Sequence, residues 1–205
     1  MILKLAKVEN CEVVIVSGRD RHTLEKWLGD LPVSLIAEHG AWIKNRGNKR
    51  WGTELSKKQD WKKSLSPILT YFTNRTPNSF IEEKEFSLVW HFRKVEKSLA
   101  DIRTQELKEE LQYLTHTLNL GVHEGNKILE IKPSKINTGH GVSKWLKNNS
   151  WDFILGVGDD YTDEDLFSAL PKKAVTIKVG LGNSCAKFRA RNVEHVLSLL
   201  ESMTG

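Results

Sequence analysis

Val157-Gly158-Asp159-Asp160-Tyr161-Thr162-Asp163-Glu164-Asp165-Leu166-Phe167 sets the end of an apolar strand directly before five carboxylates and an amphipathic helix. Phe153 to Val157 is a short continuous apolar run, the pattern of a strand covered on both faces, and Gly158 lets the chain turn sharply at its carboxyl end. In open α/β sheets ligands bind at that end. Asp159 and Asp160 fall before the helix starts and offer hard oxygen ligands of the kind Mg²⁺ accepts, one or two carboxylates completed by water and substrate phosphate. Asp163, Glu164 and Asp165 read mainly as helix structure, since acidic residues stabilise a helix N-terminus and Thr162 with Asp165 forms a variant capping box.

A second signal lies at Val13-Val-Ile-Val-Ser-Gly-Arg19, where an apolar run gives way to a hydroxyl, a glycine and a base. Ser17 can donate its hydroxyl, Gly18 lets backbone N–H groups approach an anion, and the helix expected over Asp20 to Leu28 aims its positive end at the same place. Any strand-to-helix turn favours Ser, Gly and Asp, so the pattern alone leaves phosphate binding and plain turn structure both open.

The two motifs join four others in order: Ala37-Glu-His-Gly-Ala41, Arg75-Thr-Pro-Asn-Ser-Phe-Ile-Glu-Glu-Lys84, Trp90-His-Phe-Arg93 and Glu130-Ile-Lys-Pro133. Over nearly its whole length the chain resembles the trehalose-6-phosphate phosphatases of the haloacid dehalogenase superfamily. The similarity is greatest to the phosphatase half of bifunctional trehalose-phosphate synthase/phosphatase proteins. The resemblance implies a Mg²⁺-dependent phosphomonoesterase acting on trehalose 6-phosphate or a related sugar phosphate, with a trehalose-phosphate synthase domain as an associated partner. It implies an α/β fold: a doubly wound, mainly parallel core sheet formed by residues 1–50 and 134–205, with an α+β cap over residues 51–133. By resemblance Ser17, Gly18 and Arg19 hold phosphate and Asp159 and Asp160 hold the metal. His39 and Gly40 of the core, with Glu130 and Lys132 of the cap, face the sugar hydroxyls. On the residues alone, Glu130 and Lys132 are alternate positions sharing one face of a strand, and His39 caps the end of another.

Two departures bear on activity. The family's nucleophile and general acid stand in an Asp-x-Asp-Gly-Thr motif, and no such stretch occurs in these 205 residues. Met1 to Asn10 resemble the tail of the helix that follows that strand, so we expect a fragment of a larger protein. The family also places a lysine in an Asn-Lys-Gly turn, where this chain reads Asn137-Thr138-Gly139. A phosphate monoester brings about two negative charges, and electrostatic stabilisation is usually the largest catalytic contribution; threonine supplies none. Lys135, three residues before Thr138, is a candidate substitute, and a surface loop lysine is its simpler reading. We therefore expect no complete catalytic set and weakened Mg²⁺ binding, with a non-catalytic regulatory or scaffolding domain as the alternative function. The absent strand lies centrally in the family's sheet, between the strands ending at Ser17 and Val157. Those two are expected to close on each other, to accept another segment, or to mark a piece of a longer chain.

Other features are permissive. Cys11 and Cys185 suggest neither a disulfide framework nor a zinc site and suit a reducing cytoplasm. No apolar run approaches the roughly 20 residues needed to cross a bilayer, so no membrane partner is expected. The net charge of +5 suits anionic ligands. Lys44 to Lys63 interleaves bases with Trp51 and Trp61, a pattern that can grip single strands. However, Trp61, Leu65, Ile68, Leu69 and Phe72 recur at helical spacing, which favours an amphipathic helix after a Gly47–Lys57 linker and argues against nucleic acid. Further on, Phe86, Leu88, Trp90 and Phe92 alternate as one face of a strand. Ile102, Leu107, Leu111, Leu114 and Leu118 mark the buried side of a long helix, and two strands are expected to meet across Gly125-Asn126.

Overall fold

The computed structural model describes residues 1–56, 59–147 and 150–204; Lys57, named above as the end of a linker, lies outside them. The chain opens with α1 (Ile2–Leu5), β1 (Val14–Val16), α2 (Arg21–Leu28), β2 (Ser34–Ala37), a 3₁₀ turn (Glu38–Gly40) and β3 (Trp42–Lys44). It continues through α3 (Trp61–Asn74), β4 (Phe80–Glu83), β5 (Leu88–His91), α4 (Lys97–Thr117), β6 (Leu120–Gly125) and β7 (Ile128–Pro133). It ends with α5 (Thr138–Leu146), β8 (Leu155–Gly158), α6 (Asp163–Ala169), β9 (Val175–Val179), β10 (Phe188–Ala190) and α7 (Val193–Ser202). These elements form two compact units, Met1–Glu54 with Ile136–Gly205, and Leu55–Lys135.

In the first unit β1 pairs parallel with β2, Ile15 opposite Leu35, and α2 makes the crossover. Asp20 starts that helix by accepting the Thr23 N–H at 2.9 Å, the usual role of an N-cap carboxylate. The antiparallel β3 closes this sheet, whose order is β1-β2-β3, and a second sheet runs β10-β9-β8 with all strands parallel. Ile36, Val142, Leu166 and Phe167 form one apolar cluster, and Ile177, Ala190 and Val196 another.

Among the described residues β1 has only β2 as a ladder partner and β8 only β9. A cavity of about 310 Å³ borders both strands, lined by Val14 and Val16, by Leu155 and Val157, and by Leu166 and Leu170. Direct closure of the strand ending at Ser17 onto the strand ending at Val157 is therefore not what the chain does. The apolar run before Gly158 is also shorter as a strand than expected: pairing begins at Leu155, and Phe153 is exposed.

The second unit is an antiparallel sheet of order β4-β5-β7-β6 with α3 and α4. Leu88, Trp90 and Phe92 join Leu65, Leu69, Phe72, Leu107, Leu111, Leu129 and Ile131 in one core, as the alternation in β5 and the helical stripe in α3 require. Several expectations shift. Ile102 is exposed, and α4 buries Ala100 and Thr104 in its first half instead. Lys62 of α3 is buried, and its ammonium reaches Glu83 at 3.0 Å and the Lys84 carbonyl. The β6–β7 turn falls on Asn126-Lys127, with Lys127 at φ 63°, because pairing persists to Gly125 opposite Ile128. Gly47–Lys57 is not wholly a linker, since Gly52 bridges Ile43 and the Trp51 indole donates to Glu25 at 2.8 Å. In α7 only Val196 is buried, while Val193 and Leu197 are exposed.

Candidate functional site

The Ser17 turn is built by its neighbours. Ser17 donates its N–H to Ile36 at 2.9 Å as the ladder ends, and its hydroxyl accepts the Arg19 N–H at 3.1 Å, leaving its own O–H to donate. The Arg19 side chain is exposed and its guanidinium lies 4.7 Å from the centre of the Trp27 ring. Gly18 lies under His39: a Cβ there would stand 2.3 Å from His39 Nε2. The His39 N–H in turn donates to the Ser17 carbonyl at 3.2 Å.

His39 is held in an uncommon conformation. Glu38, His39 and Gly40 have φ of 45°, 54° and 97° in succession, a left-handed run that L side chains adopt at a cost of about 1 kcal/mol or more each. This is more than a strand cap, and it presents the ring to α5, where Nδ1 lies 3.4 Å from Thr138 Oγ1. Gly40 is packed against Gly141, Cβ positions on either falling 2.4–2.7 Å from the other's Cα. Ser17, Gly18, His39, Gly40 and Thr138 are thereby gathered at the N-terminus of α5, whose Asn137 cap accepts the His140 N–H at 2.7 Å.

Gly139 of α5 lies so close to α6 that a Cβ would meet the Asp165 carbonyl at 2.4 Å, which ties this cluster to the helix following the acidic loop. In that loop Asp159 and Asp160 are exposed. Asp160 Oδ1 accepts the Tyr161 N–H at 2.7 Å. Thr162 makes no capping bond with its side chain, so the expected capping box is absent. Asp163 instead turns back and accepts the Asp160 N–H at 2.8 Å. Burial, together with the charges of Asp159 and Asp160, pushes the Asp163 carboxyl above the usual carboxylate range despite those N–H bonds. The Glu164 carboxyl is held low: burial opposes this but is outweighed by hydrogen bonds from Cys185 and Ser184 and by the Lys178 charge. The Cys185 N–H donates to Glu164 Oε2 at 2.8 Å.

Sequence reasoning missed Lys178, on β9 opposite Gly158, whose Nζ donates to the carbonyls of Asp159 at 2.7 Å and Asp160 at 3.2 Å. Among the described residues no group of three or more His, Cys, Asp or Glu side chains converges as a ready metal cage. The donor set is two hard carboxylates on one loop, which fits a cation that keeps most of its water and takes phosphate oxygen as well. Such an ion would supply Lewis-acid stabilisation of phosphate charge.

In the second unit Glu130 accepts from the Ser87 hydroxyl at 2.7 Å and the Lys84 ammonium at 3.2 Å. It lies opposite Val89 on the strand that also carries Lys132, and Lys132, like Glu130, is buried. The pair is thus not a solvent-facing one.

This α/β architecture is that of haloacid-dehalogenase-like phosphatases with a cap domain, enzymes that generally use Mg²⁺. The trehalose-phosphatase family profile matches residues 1–198, and the chain belongs to that family. It is 35% identical over 203 residues to a bifunctional trehalose-6-phosphate synthase/phosphatase of Thermoproteus tenax, covering 99% of this chain and 28% of that one. It is 36% identical over 193 residues to a trehalose-phosphatase of Saccharomyces cerevisiae, covering 83% and 21%. The chain thus spans less than a third of the length of either relative. Among solved structures, the C-terminal domain of Candida albicans trehalose-6-phosphate phosphatase superposes with a TM-score of 0.88 at 27% identity, over 100% of this chain and 81% of that one. No helix among the described residues is long and apolar enough to cross a membrane.

Proposed function

We propose that this chain is a trehalose 6-phosphate phosphatase-type domain whose 205 residues bind the sugar phosphate, with Mg²⁺ at Asp159 and Asp160, but do not turn it over. The observation that carries the reading is the cluster at the start of α5: Gly18 under the His39 ring, the Ser17 carbonyl bonded to the His39 N–H, and Thr138 3.4 Å from that ring. Ser17 and the Gly18 turn donate to phosphate and the Asp pair offers oxygens to the ion. By family resemblance, His39 and Gly40 are the sugar-hydroxyl residues of the first unit and Glu130 and Lys132 those of the second, which acts as the cap. Mg²⁺ binding is weak, because two carboxylates are a small charge for a divalent ion. The full enzymatic reaction belongs to a chain that also carries an Asp-x-Asp-Gly-Thr segment, in company with a trehalose-phosphate synthase domain. Neither nucleic acid nor a membrane enters this reading, and the two free cysteines suit a cytoplasmic setting.

A second reading is favoured by one residue. Thr138, uncharged where the family carries lysine, fits a domain that holds a sugar phosphate for regulation or scaffolding. Phosphate release from trehalose 6-phosphate with Mg²⁺ separates the two. Turnover by an extended chain bearing the aspartate motif supports the enzyme, whereas binding without release in that extended chain supports the regulatory domain.

A further inference from the structure

We infer that Lys178 is a positioning residue for the cation loop: its ammonium fixes the Asp159 and Asp160 backbone so that their carboxylates stay presented to an ion. The inference rests on the cation reading of that loop given above. Lys178 is a buried cation, with a side chain 8% exposed, and a charge in such a place requires partners. An ammonium has three N–H donors and no acceptor. Two go to the carbonyls of Asp159 and Asp160, at 2.7 and 3.2 Å, and a third acceptor, Glu164 Oε1, lies 3.9 Å away. That oxygen is buried and has no hydrogen bond of its own, so the lysine charge is what makes its burial tolerable.

The same peptide groups are held from the other side. Asp163 accepts the Asp160 N–H at 2.8 Å and a backbone N–H from Asp159. The backbone of the Asp pair is therefore gripped by an acceptor on its N–H side and a donor on its C=O side. Its side chains are the groups left to face outward, and both residues are exposed. The register explains how a lysine on β9 arrives there: Lys178 stands opposite Gly158, the residue directly before the Asp pair.

Plain electrostatics and positioning predict opposite signs for loss of this charge. A positive charge beside a divalent ion repels it, so deleting the charge alone tightens cation binding. If Lys178 acts by holding the loop, Lys178→Met frees two carbonyls and weakens binding. Manganese affinity is measured by electron paramagnetic resonance on the wild-type chain, Lys178→Met and Lys178→Gln, with circular dichroism confirming the fold. The expected result is at least a tenfold weakening for Met, with Gln, which keeps N–H donors without the charge, binding at least tenfold more tightly than Met. Undiminished or tighter binding in folded Lys178→Met overturns the inference alone. Absence of manganese binding in the wild-type chain overturns the cation reading and the inference with it. If Met fails to fold, the wild-type ammonium resonance decides: a Lys178 Nζ signal protected from exchange and shifted by Mg²⁺ supports the grip, and an unprotected one overturns it.

Discussion

Asp163 Oδ2 accepts the backbone N–H of Asp160 at 2.8 Å, so the carboxylate assigned from sequence to the helix start also shapes the loop before it. The bond is possible because the chain carries no side chain at residue 158. A Cβ on Gly158 would meet the Asp163 carboxyl carbon at 2.3 Å and its Cβ at 2.4 Å, closer than real contacts allow.

Gly158→Ala should therefore displace Asp163 and loosen both aspartates. Overpacking of this kind costs about 1–3 kcal/mol. Manganese affinity should fall by at least tenfold, and equal affinity in the alanine variant would show that Asp163 does not organise the loop.

The contact between Gly40 and Gly141 is backbone against backbone. In Gly141→Ala the new Cβ would lie 2.4 Å from Gly40 Cα, and no rotamer relieves it. We expect a loss of about 2–3 kcal/mol in urea unfolding, together with weaker phosphate binding, because the same contact holds His39 beside Thr138. Loss of less than about 0.5 kcal/mol would mean that the two segments slide apart freely.

Thr138→Lys places a charge at the start of α5, where the 3.4 Å approach to His39 marks the phosphate cluster. Inorganic phosphate should bind at least tenfold more tightly, without release of phosphate from trehalose 6-phosphate by these residues alone. Unchanged affinity would move the anion site elsewhere.

The pH response of the second unit is set in part by Glu96, the N-cap of α4. Its carboxylate accepts the Ser98 hydroxyl at 2.5 Å and the N–H groups of Ser98 and Leu99 at 3.0 Å. These bonds, the hydroxyl first, lower its pKa from 4.5 to about 2. A folded pKa below the unfolded one means that the stabilisation is complete above pH 4.5 and is lost as pH falls toward 2. Hydrogen exchange of the first-turn amides of α4 should accelerate over that window relative to intrinsic rates, and Glu96→Gln should flatten the dependence. An identical profile in the glutamine variant would remove Glu96 as the cause.

Much of this was legible in the residues. The period-two run in β5 and the stripe in α3 identify the core of the second unit because both depend on local spacing. The Ser17 turn and the Asp pair read correctly as the ends of strands for the same reason. What escaped depends on distant residues. Lys178 is the one charged position of β9, and its role shows only once Gly158 is seen opposite it. The left-handed run through Glu38 and His39 carries no mark in sequence, since neither residue type requires positive φ. Residues Phe188–Ala190 are too short and polar to declare a strand, and only their pairing with β9 makes them one. Ile102 kept the helical spacing yet is exposed, because the first half of α4 buries Ala100 and Thr104 rather than the stripe read from sequence.

Isothermal titration of this chain with trehalose 6-phosphate, with and without Mg²⁺, tests the central claim most directly, since one trace records both binding heat and any continuing heat of hydrolysis. Saturable binding that strengthens with Mg²⁺ is expected, with a baseline that returns to zero after each injection. No binding heat under either condition, or a sustained heat of turnover, would contradict it.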